Sequence, residues 1–218
     1  MPARLRPTAP FAADAVLVGD PGRALMLAQE LLEQPKMSNH ARGLWGYSGR
    51  TPAGHELSVQ STGMGGPSAA LVLTDLAELG LKRAIRVGTA TAVGPELKAG
   101  ELLVVAAAHA GSGSSAGITH GPDPGLSAKL ASELGEGARS GPVASFDAPH
   151  LPGSEPAAPG EVADLQTATL LGRGAALGIA LAAVLIVAET AVGEVADDEL
   201  LAAAATRAGI AASAVLST

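Results

Sequence analysis

The sequence predicts an α/β fold, a single three-layer domain whose central, largely parallel mixed β-sheet is flanked by helices. Two observations carry this prediction. Short apolar runs of strand length alternate with amphipathic stretches of helical period along the whole 218-residue chain. Hydrophobic residues make up 47% of the chain but aromatic residues only 2%, so Ala, Val, Leu and Gly must fill a closely packed core. The length suits one domain, with residues 1–13 as an extended arm in front of it.

The elements can be placed in chain order from periodicity and turn residues. The predicted strands are residues 15–18, 44–47, 56–60, 83–87, 102–107, 141–146 and 182–189. The predicted helices are residues 24–34, 68–80, 122–134, 160–178 and 197–212. The predicted connections are the polar stretch 35–43, the hairpin loop 48–54, the Gly- and Ser-rich stretch 110–125 and the proline-rich stretch 151–159.

Composition narrows the function classes. The net charge of −7 and the absence of a Lys/Arg cluster argue against general nucleic-acid binding. No cysteine is present, so thiolate chemistry and disulfides are excluded, and no His, Asp or Glu spacing resembles a metal site. The N-terminus lacks an apolar signal region, and the longest apolar run, residues 174–188, is shorter than the roughly 20 residues that span a bilayer. We therefore expect a soluble, cytoplasmic protein without a membrane segment.

Three glycine-rich turns are predicted to follow strands, at residues 19–21, 63–66 and 88–89. Glycine lets the backbone approach a ligand closely and present N–H groups to an anion, and the second turn opens a helix. Arg23 and Arg86 lie beside two of these turns, so the sequence predicts an oxyanion site. Compact α/β folds also need such turns for structural reasons alone, and Arg86, in an apolar strand, needs a partner on either interpretation.

Four motifs make a more specific case. GDPGR, GYSG, STGMGGPSAA and IRVGTATAV occur here in the order and spacing of the nucleoside phosphorylase family, which includes hexameric purine nucleoside phosphorylase and uridine phosphorylase. The resemblance covers roughly residues 14–105 and returns more weakly in SFDAPH (145–150) and in DLQTATLL (164–171), which is similar to the uridine phosphorylase segment EMESATLL. It implies a nucleoside phosphorylase-like fold across residues 1–218.

The resemblance implies an activity and a set of ligands. The family cleaves the N-glycosidic bond of a nucleoside with inorganic phosphate as co-substrate and needs no other cofactor. Carried over, the phosphate ligands are Gly19, Arg23, Arg42, Arg86 and Thr89. Arg42 matches an arginine donated across a dimer interface, which implies a homodimer or a hexamer built as a trimer of dimers. Met64 is expected to lie against the ribose.

The chain departs from the family pattern where the sugar and the base should bind. The segment that ends in a ribose-binding glutamate reads Asp164-Leu165-Gln166, so Leu165 and Gln166 are the expected ribose contacts. Thr91 replaces a family glycine, and Pro149 replaces the residue that stacks on the base, for which Phe146 or His150 must then substitute. The expected base contacts are Thr91, Phe146, Pro149 and Asp164. The expected catalytic groups are Arg86, His150 and Glu189, the nearest acid to the late strand.

Two alternatives remain at this point. One is a hydrolase on the same scaffold with water as nucleophile, although two arginines form a cradle that water does not need. The other is a family member that binds a nucleoside or a phosphate ester and has lost catalysis, for which Thr91, Pro149 and Gln166 are the evidence. The missing purine-protonating aspartate and the ATLL segment tilt the expected base towards a pyrimidine or an unusual nucleoside.

Overall fold

A computed structural model describes residues 4–154 and 158–218, so the first residues of the predicted arm and the middle of the 151–159 loop lie outside the described residues. The strands are β1 (Asp14–Val18), β2 (Glu33–Asn39), β3 (Gly46–Arg50), β4 (Glu56–Ser61), β5 (Arg83–Ala92), β6 (Leu102–Ala110), β7 (Thr119–His120), β8 (Ala138–Ser145), β9 (Val162–Asp164) and β10 (Ala180–Glu189). The helices are α1 (Pro21–Leu31), α2 (Gly66–Glu78), α3 (Pro124–Leu134), α4 (Thr167–Leu177) and α5 (Asp198–Leu216), with short 3-10 turns at Ala41–Gly43, Gly113–Ser115 and Gly135–Gly137.

The strands form one mixed sheet in the order β10-β6-β8-β9-β5-β1-β4-β3-β2, with β7 on β6. Strand β10 also pairs with β5, so β5, β10, β6, β8 and β9 close into a ring from which the other strands extend. Pairs β1–β4, β1–β5 and β5–β10 are parallel, and their carboxyl ends therefore meet at one edge. That edge is where a ligand site is expected in an α/β sheet.

Two hydrophobic clusters cover the faces of the sheet and make the three layers. Helices α1, α3 and α5 pack on one face, around buried residues such as Leu27, Leu130 and Ala208. Helices α2 and α4 pack on the other, around residues such as Leu73 and Leu170. Among the described residues, α5 alone has the length and apolarity of a membrane-crossing helix, and half of that stretch is buried inside the protein, as in a core helix.

The arm that precedes β1 is held by a buried carboxylate. Asp75 on α2 accepts hydrogen bonds from the backbone N–H groups of Arg4 and Leu5, and from the Arg4 guanidinium at 3.0 Å. Farther along, the arm meets the edge strand β2, where the N–H of Thr8 donates to the carbonyl of Ser38. The side chain of Asp75 is fully buried, so the arm supplies the partners without which this charge would destabilise the fold.

The structure corrects several predicted boundaries. Residues 33–39, mostly expected as helix end and polar connection, form β2, an edge strand with many exposed polar side chains and hence a weak strand signal. The strand expected at 44–47 lies at Gly46–Arg50, where it pairs with β2 and β4. The helix expected from residue 160 begins only at Thr167, because Val162–Asp164 pairs with β5 and β8 instead. Residues 88–89 are not a turn but part of β5, which continues to Ala92.

Candidate active site

A cleft of about 660 Å³ opens at the carboxyl ends of the parallel strands β1, β4, β5 and β10, next to β9. Most of the residues predicted for the site line it. They are Gly19, Arg23, Met64, Arg86, Thr89, Thr91, Pro149, His150, Asp164, Leu165, Gln166 and Glu189. Asp20, Gly63, Gly65 and Gly88 also belong to the wall. The cleft therefore brings together segments that are up to 176 positions apart in the chain, counted from Gly19 to Val195 (195 − 19).

The turn after β1 presents the Arg23 guanidinium, which has no hydrogen-bond or ion-pair partner among the described residues. Asp20 caps α1 by accepting a hydrogen bond from the Arg23 backbone N–H at 2.7 Å. The Arg23 side chain makes no hydrogen bond or ion pair within the described residues, although it lines the cleft. Burial lowers the pKa of its guanidinium, Asp20 partly offsets this, and nearby Arg86 lowers the pKa further. A desolvated guanidinium at a helix N-terminus, beside a second arginine, is a site for an anion.

Arg86 is in the opposite situation, because the protein itself satisfies it. It is 4% exposed, and its guanidinium donates to the Thr167 hydroxyl at 3.1 Å, to the Gln166 carbonyl at 2.7 Å and to the Asp164 carboxylate at 3.0 Å. A guanidinium has five N–H groups, so two remain for a ligand in the cleft. Arg86 is therefore a structural ion-pair partner as well as a wall of the cleft.

The Asp164 carboxylate faces inward. Its side chain is 1% exposed and accepts hydrogen bonds from the Ser145 hydroxyl at 2.5 Å, the Thr167 hydroxyl at 2.6 Å and the Thr167 backbone N–H, in addition to Arg86. The expected contact between Asp164 and a base is thus replaced by a role in fixing Arg86. Ser145 and Thr167 were missed by sequence reasoning, because their spacing from Arg86 carries no local signal.

The absence of a side chain at Gly88 leaves the space that the Arg86 guanidinium occupies. A Cβ atom at Gly88 would come within 2.6 Å of NH2, 2.7 Å of Cζ and 2.9 Å of Nε of Arg86. The arginine therefore folds back over the backbone two residues farther along its own strand. This close approach is the reason for the glycine here, since Gly88 pairs with Leu185 inside the sheet and is not in a turn.

Gln166 joins Arg86 to the turn between β4 and α2. Its carbonyl oxygen accepts from Arg86 and from the Thr62 hydroxyl at 3.1 Å. Its amide nitrogen donates to the carbonyls of Gly63 and Gly65, the latter at 3.3 Å. Between those glycines, Met64 is 87% exposed and extends over the cleft, where it is available to an apolar face of a ligand.

The far end of the cleft carries a carboxylate that a β-bulge orients. Along β10, Val187 pairs with Ala90 and Glu189 pairs with Thr91, so Ala188 is an extra residue. Without the bulge the Glu189 side chain would point to the opposite face of the sheet from that of Thr91. With it, the Thr91 hydroxyl donates to Glu189 Oε2 at 3.5 Å, and both line the cleft. Glu189 was expected in the site, but the bulge that directs it was not.

The loop after β8 adds an imidazole. His150 lines the cleft beside Pro149, and its Nε2 is buried without a hydrogen-bond partner among the described residues. A buried, unsatisfied ring nitrogen that borders a cleft is a candidate contact for a polar ligand atom. Phe146, by contrast, does not line the cleft, since its ring lies against Gly111, where a Cβ would meet it at 2.1 Å. Of the two residues expected to substitute for a stacking residue, His150 lines the cleft and Phe146 does not.

Arg42 also lies outside the cleft of its own chain. It belongs to the 3-10 turn after β2, is exposed, and adopts φ +60°, which is uncommon for a residue other than glycine. Its side chain makes no hydrogen bond or ion pair within the described residues. Over residues 4–154 and 158–218, no cluster of His, Cys, Asp or Glu is arranged to hold a metal ion.

Comparison with known proteins identifies the family and the fold of the chain. The family model described as the phosphorylase superfamily matches residues 14–218, which confirms the resemblance indicated by the motifs. The fold matches a purine nucleoside phosphorylase from Toxoplasma gondii in complex with immucillin-H, with a TM-score of 0.83, 24% identity and coverage of 95% of this chain and 91% of that one. It also matches a uridine phosphorylase from Vibrio fischeri ES114, with a TM-score of 0.80, 21% identity and coverage of 94% and 91%. These matches confirm the predicted fold class.

Sequence similarity is highest over part of the chain. DeoD-type purine nucleoside phosphorylase from Streptococcus pyogenes serotype M5 is 44% identical over 98 residues, which are 44% of this chain and 41% of the relative. The enzyme of the same name from Clostridium perfringens (strain ATCC 13124) is 41% identical over 95 residues, or 43% of this chain and 40% of the relative. The matched stretch thus spans less than half the length of these relatives.

Proposed function

Because the chain belongs to the phosphorylase superfamily, we propose that it cleaves the N-glycosidic bond of a nucleoside with inorganic phosphate, giving a free base and a pentose 1-phosphate. The observation that carries the proposal is the Arg23 guanidinium, which is desolvated in the cleft and has no acceptor among the described residues. A partly buried cation of this kind is stabilised by an anionic ligand. Inorganic phosphate is the co-substrate, and no other cofactor is proposed.

The phosphate would lie between the turn after β1 and strand β5. Arg23, the two free N–H groups of Arg86, the Thr89 hydroxyl and the backbone N–H groups near Gly19 are the donors that border this space. An anion held there, below the sugar, attacks the anomeric carbon and stabilises the positive charge that develops on the sugar as the glycosidic bond breaks. Met64 and Leu165 offer the apolar contacts for the pentose.

The base would occupy the far end of the cleft. When the C–N bond breaks, its electron pair goes to the base, while a phosphate oxygen forms the new bond to the anomeric carbon. A proton delivered to the base neutralises the leaving group. Glu189 and His150 are the two groups there that can carry such a proton, and Thr91 and Pro149 complete the wall.

The experiment follows the release of free base from a panel of purine and pyrimidine nucleosides, with phosphate-free protein, before and after phosphate is added. We expect release that depends on phosphate and yields a pentose 1-phosphate. Release that is independent of phosphate and yields free pentose would overturn phosphorolysis. Saturable nucleoside binding without any release would show a binding protein that has lost catalysis.

Hydrolysis is the second candidate, and one observation favours it. Arg86 is paired with the buried Asp164, and the carboxylates of Asp20 and Glu189 also line the cleft, so Arg23 is the one cation there that the described residues leave unpaired. An activated water molecule needs less positive charge than a phosphate dianion. The same assay separates the two reactions by their dependence on phosphate.

We also propose that a second copy of the chain completes the site with Arg42, in a homodimer or a trimer of dimers, and that the protein works in the cytoplasm. The support is that Arg42 is exposed, lies outside its own cleft, and has no side-chain partner among the described residues. Analytical ultracentrifugation tests the assembly, and a sedimentation coefficient of a monomer at assay concentration would contradict it.

A further inference from the structure

We propose that Gln166 is a positioning residue that couples the anion-binding arginine to the turn over the sugar, and that it does not bind the sugar hydroxyls. The inference rests on the proposed function. Gln166 is 3% exposed although it borders the cleft, and all its polar capacity is directed into the protein. The resemblance at this position, by contrast, implies a residue that grips the hydroxyls of a ribose.

Both polar atoms of the Gln166 side chain face protein groups and not the cleft. The side-chain carbonyl has two lone pairs. One accepts from Arg86 Nη1 at 2.7 Å, and the other faces the Thr62 hydroxyl at 3.1 Å, whose single hydrogen also has the Val18 carbonyl within reach at 3.0 Å. The side-chain nitrogen has two hydrogens, which go to the carbonyls of Gly63 and Gly65. A sugar hydroxyl can bind Gln166 only by displacing one of these four partners.

An amide is required here, because a carboxylate has no hydrogen to donate. Gln166→Glu would set one carboxylate oxygen, in the place of Nε2, against the carbonyls of Gly63 and Gly65, in a nearly closed environment where such repulsion is strong. The turn at Gly63–Gly65 therefore requires an amide at position 166, and a glutamate could not make the same hydrogen bonds.

The turn that Gln166 holds has little freedom to adapt. Gly63 and Gly65 have φ of +71° and +80°, values that other residues rarely adopt. A Cβ at Gly63 would meet the Ser68 hydroxyl at 2.7 Å. The two carbonyls that accept from Gln166 flank Met64, so the amide fixes the point from which Met64 extends over the cleft.

The hydrogen bonds of Gln166 to Arg86, Gly63 and Gly65 have two consequences for binding. Loss of the amide should weaken phosphate binding and nucleoside binding together, since Arg86 and the Met64 turn both depend on it. It should leave discrimination between ribose and 2′-deoxyribose unchanged, because Gln166 does not contact the 2′-hydroxyl. Loss of a residue that binds the sugar hydroxyls would instead change the discrimination between ribose and 2′-deoxyribose and leave phosphate binding unchanged.

The test compares Gln166→Glu and Gln166→Ala with the wild type and with Gln29→Glu, the same chemical change at an exposed position on α1. The readouts are KM for phosphate, KM for a ribonucleoside and its 2′-deoxy counterpart, and the thermal shift produced by phosphate, by ribose 1-phosphate and by 2-deoxyribose 1-phosphate. We expect KM for phosphate to rise about tenfold in both Gln166 variants. The ratio of kcat/KM for the two sugars should stay within about twofold of the wild type.

A change of about tenfold or more in that ratio, or unaltered KM for phosphate, would overturn the inference. If the wild type releases no base, the proposed function fails but the thermal shifts still decide the role of Gln166: a smaller phosphate shift with an unchanged ribose-to-deoxyribose difference supports it. If Gln166→Glu does not fold, Gln166→Ala, which removes the hydrogen bonds to Arg86, Gly63 and Gly65 without adding a charge, should weaken phosphate binding in the same direction. Unchanged phosphate binding in a folded Gln166→Ala would count against the coupling.

Discussion

Arg23 and Arg86 line the same cleft, but the regions that carry them are built in opposite ways. The turn after β1 gives the Arg23 side chain no acceptor among the described residues, whereas β9 and α4 give Arg86 three. Arg23, without a hydrogen-bond or ion-pair partner among the described residues, is suited to the proposed anion, whereas Arg86 is fixed in place by partners that the protein supplies. Two arginines that line one cleft therefore differ in what they can do, because the contacts of each guanidinium, and not the residue type, decide whether it is free for a ligand or held in position.

The largest effect is expected on stability, when the buried ion pair between Arg86 and Asp164 is broken. Asp164→Ala leaves the Arg86 guanidinium buried without its counter-charge, so the free energy of unfolding should fall by about 3–5 kcal/mol. Urea denaturation measures this, with the exposed Asp198→Ala on α5 as control. A loss below about 1 kcal/mol would mean that the buried pair does not hold this region together.

The second-largest effect is expected on phosphate binding, in the turn after β1 that carries Arg23. Arg23→Ala should lower kcat/KM for phosphate about 100-fold, because a charge-assisted contact is lost, while stability changes by less than about 0.5 kcal/mol. Arg50→Ala, which breaks an exposed ion pair with Glu56, is the control. Mixing Arg23→Ala with Arg42→Ala protein should restore part of the activity, since each hybrid dimer contains one site with both arginines. No recovery after subunit exchange would argue against Arg42 as a shared ligand.

The third change moves Arg86 without removing it. Gly88→Ala places a Cβ where the guanidinium lies, so Arg86 must shift away from Asp164 and Gln166. We expect a loss of about 1–3 kcal/mol in stability, measured by urea denaturation, together with weaker phosphate binding. Gly94→Ala is a matched control, because a Cβ there meets nothing within 4 Å. Equal stabilities of the two variants would show that Arg86 has room to adapt.

The smallest effect is expected at the far end of the cleft. Thr91→Val removes the hydroxyl that donates to Glu189 at 3.5 Å, a long and therefore weak hydrogen bond. We expect kcat to fall only about threefold, with KM for phosphate unchanged. Thr119→Val, which removes an exposed hydroxyl bonded to His109, serves as control. A rise in KM for phosphate would place Thr91 in the anion site instead.

The difference between the two regions also explains what sequence could predict. The Arg23 turn is local: strand, capping aspartate, proline and arginine lie within a few residues, and glycine and cap chemistry make that order readable. The Arg86 region is assembled from Ser145, Asp164 and Thr167, which the chain brings back after 59 to 81 residues (145 − 86 to 167 − 86). Motif resemblance placed Asp164 and Gln166 near the cleft, but only packing shows that they face Arg86.

Sheet pairing accounts for the remaining errors. Residues 162–164 were expected to be helical because they precede a helical pattern without a breaker, yet both neighbours of β9 offer them hydrogen bonds. Residues 88–89 look like a turn because of their glycine, which in fact accommodates a side chain from the same strand. The bulge at Ala188 has no sequence signature, so the direction of Glu189 was not predictable.

The carboxylate that holds the N-terminal arm has a consequence for behaviour in acid. Burial by itself raises the pKa of Asp75, but hydrogen bonds from the backbone of Leu5 and Arg4 and from the Arg4 side chain outweigh it and hold the pKa below its ordinary value of 3.8. A depressed pKa means that the folded protein binds this proton less tightly than the unfolded chain, so the stability it contributes is present above pH 3.8 and lost as pH falls through the lower value. Once protonated, Asp75 would release the arm from the edge strand β2, whose open backbone groups could then pair with another molecule. Light scattering of Asp75→Asn, a mimic of the protonated acid, should therefore show self-association at neutral pH that the wild type shows only in acid, and a monodisperse variant would contradict this role for the arm.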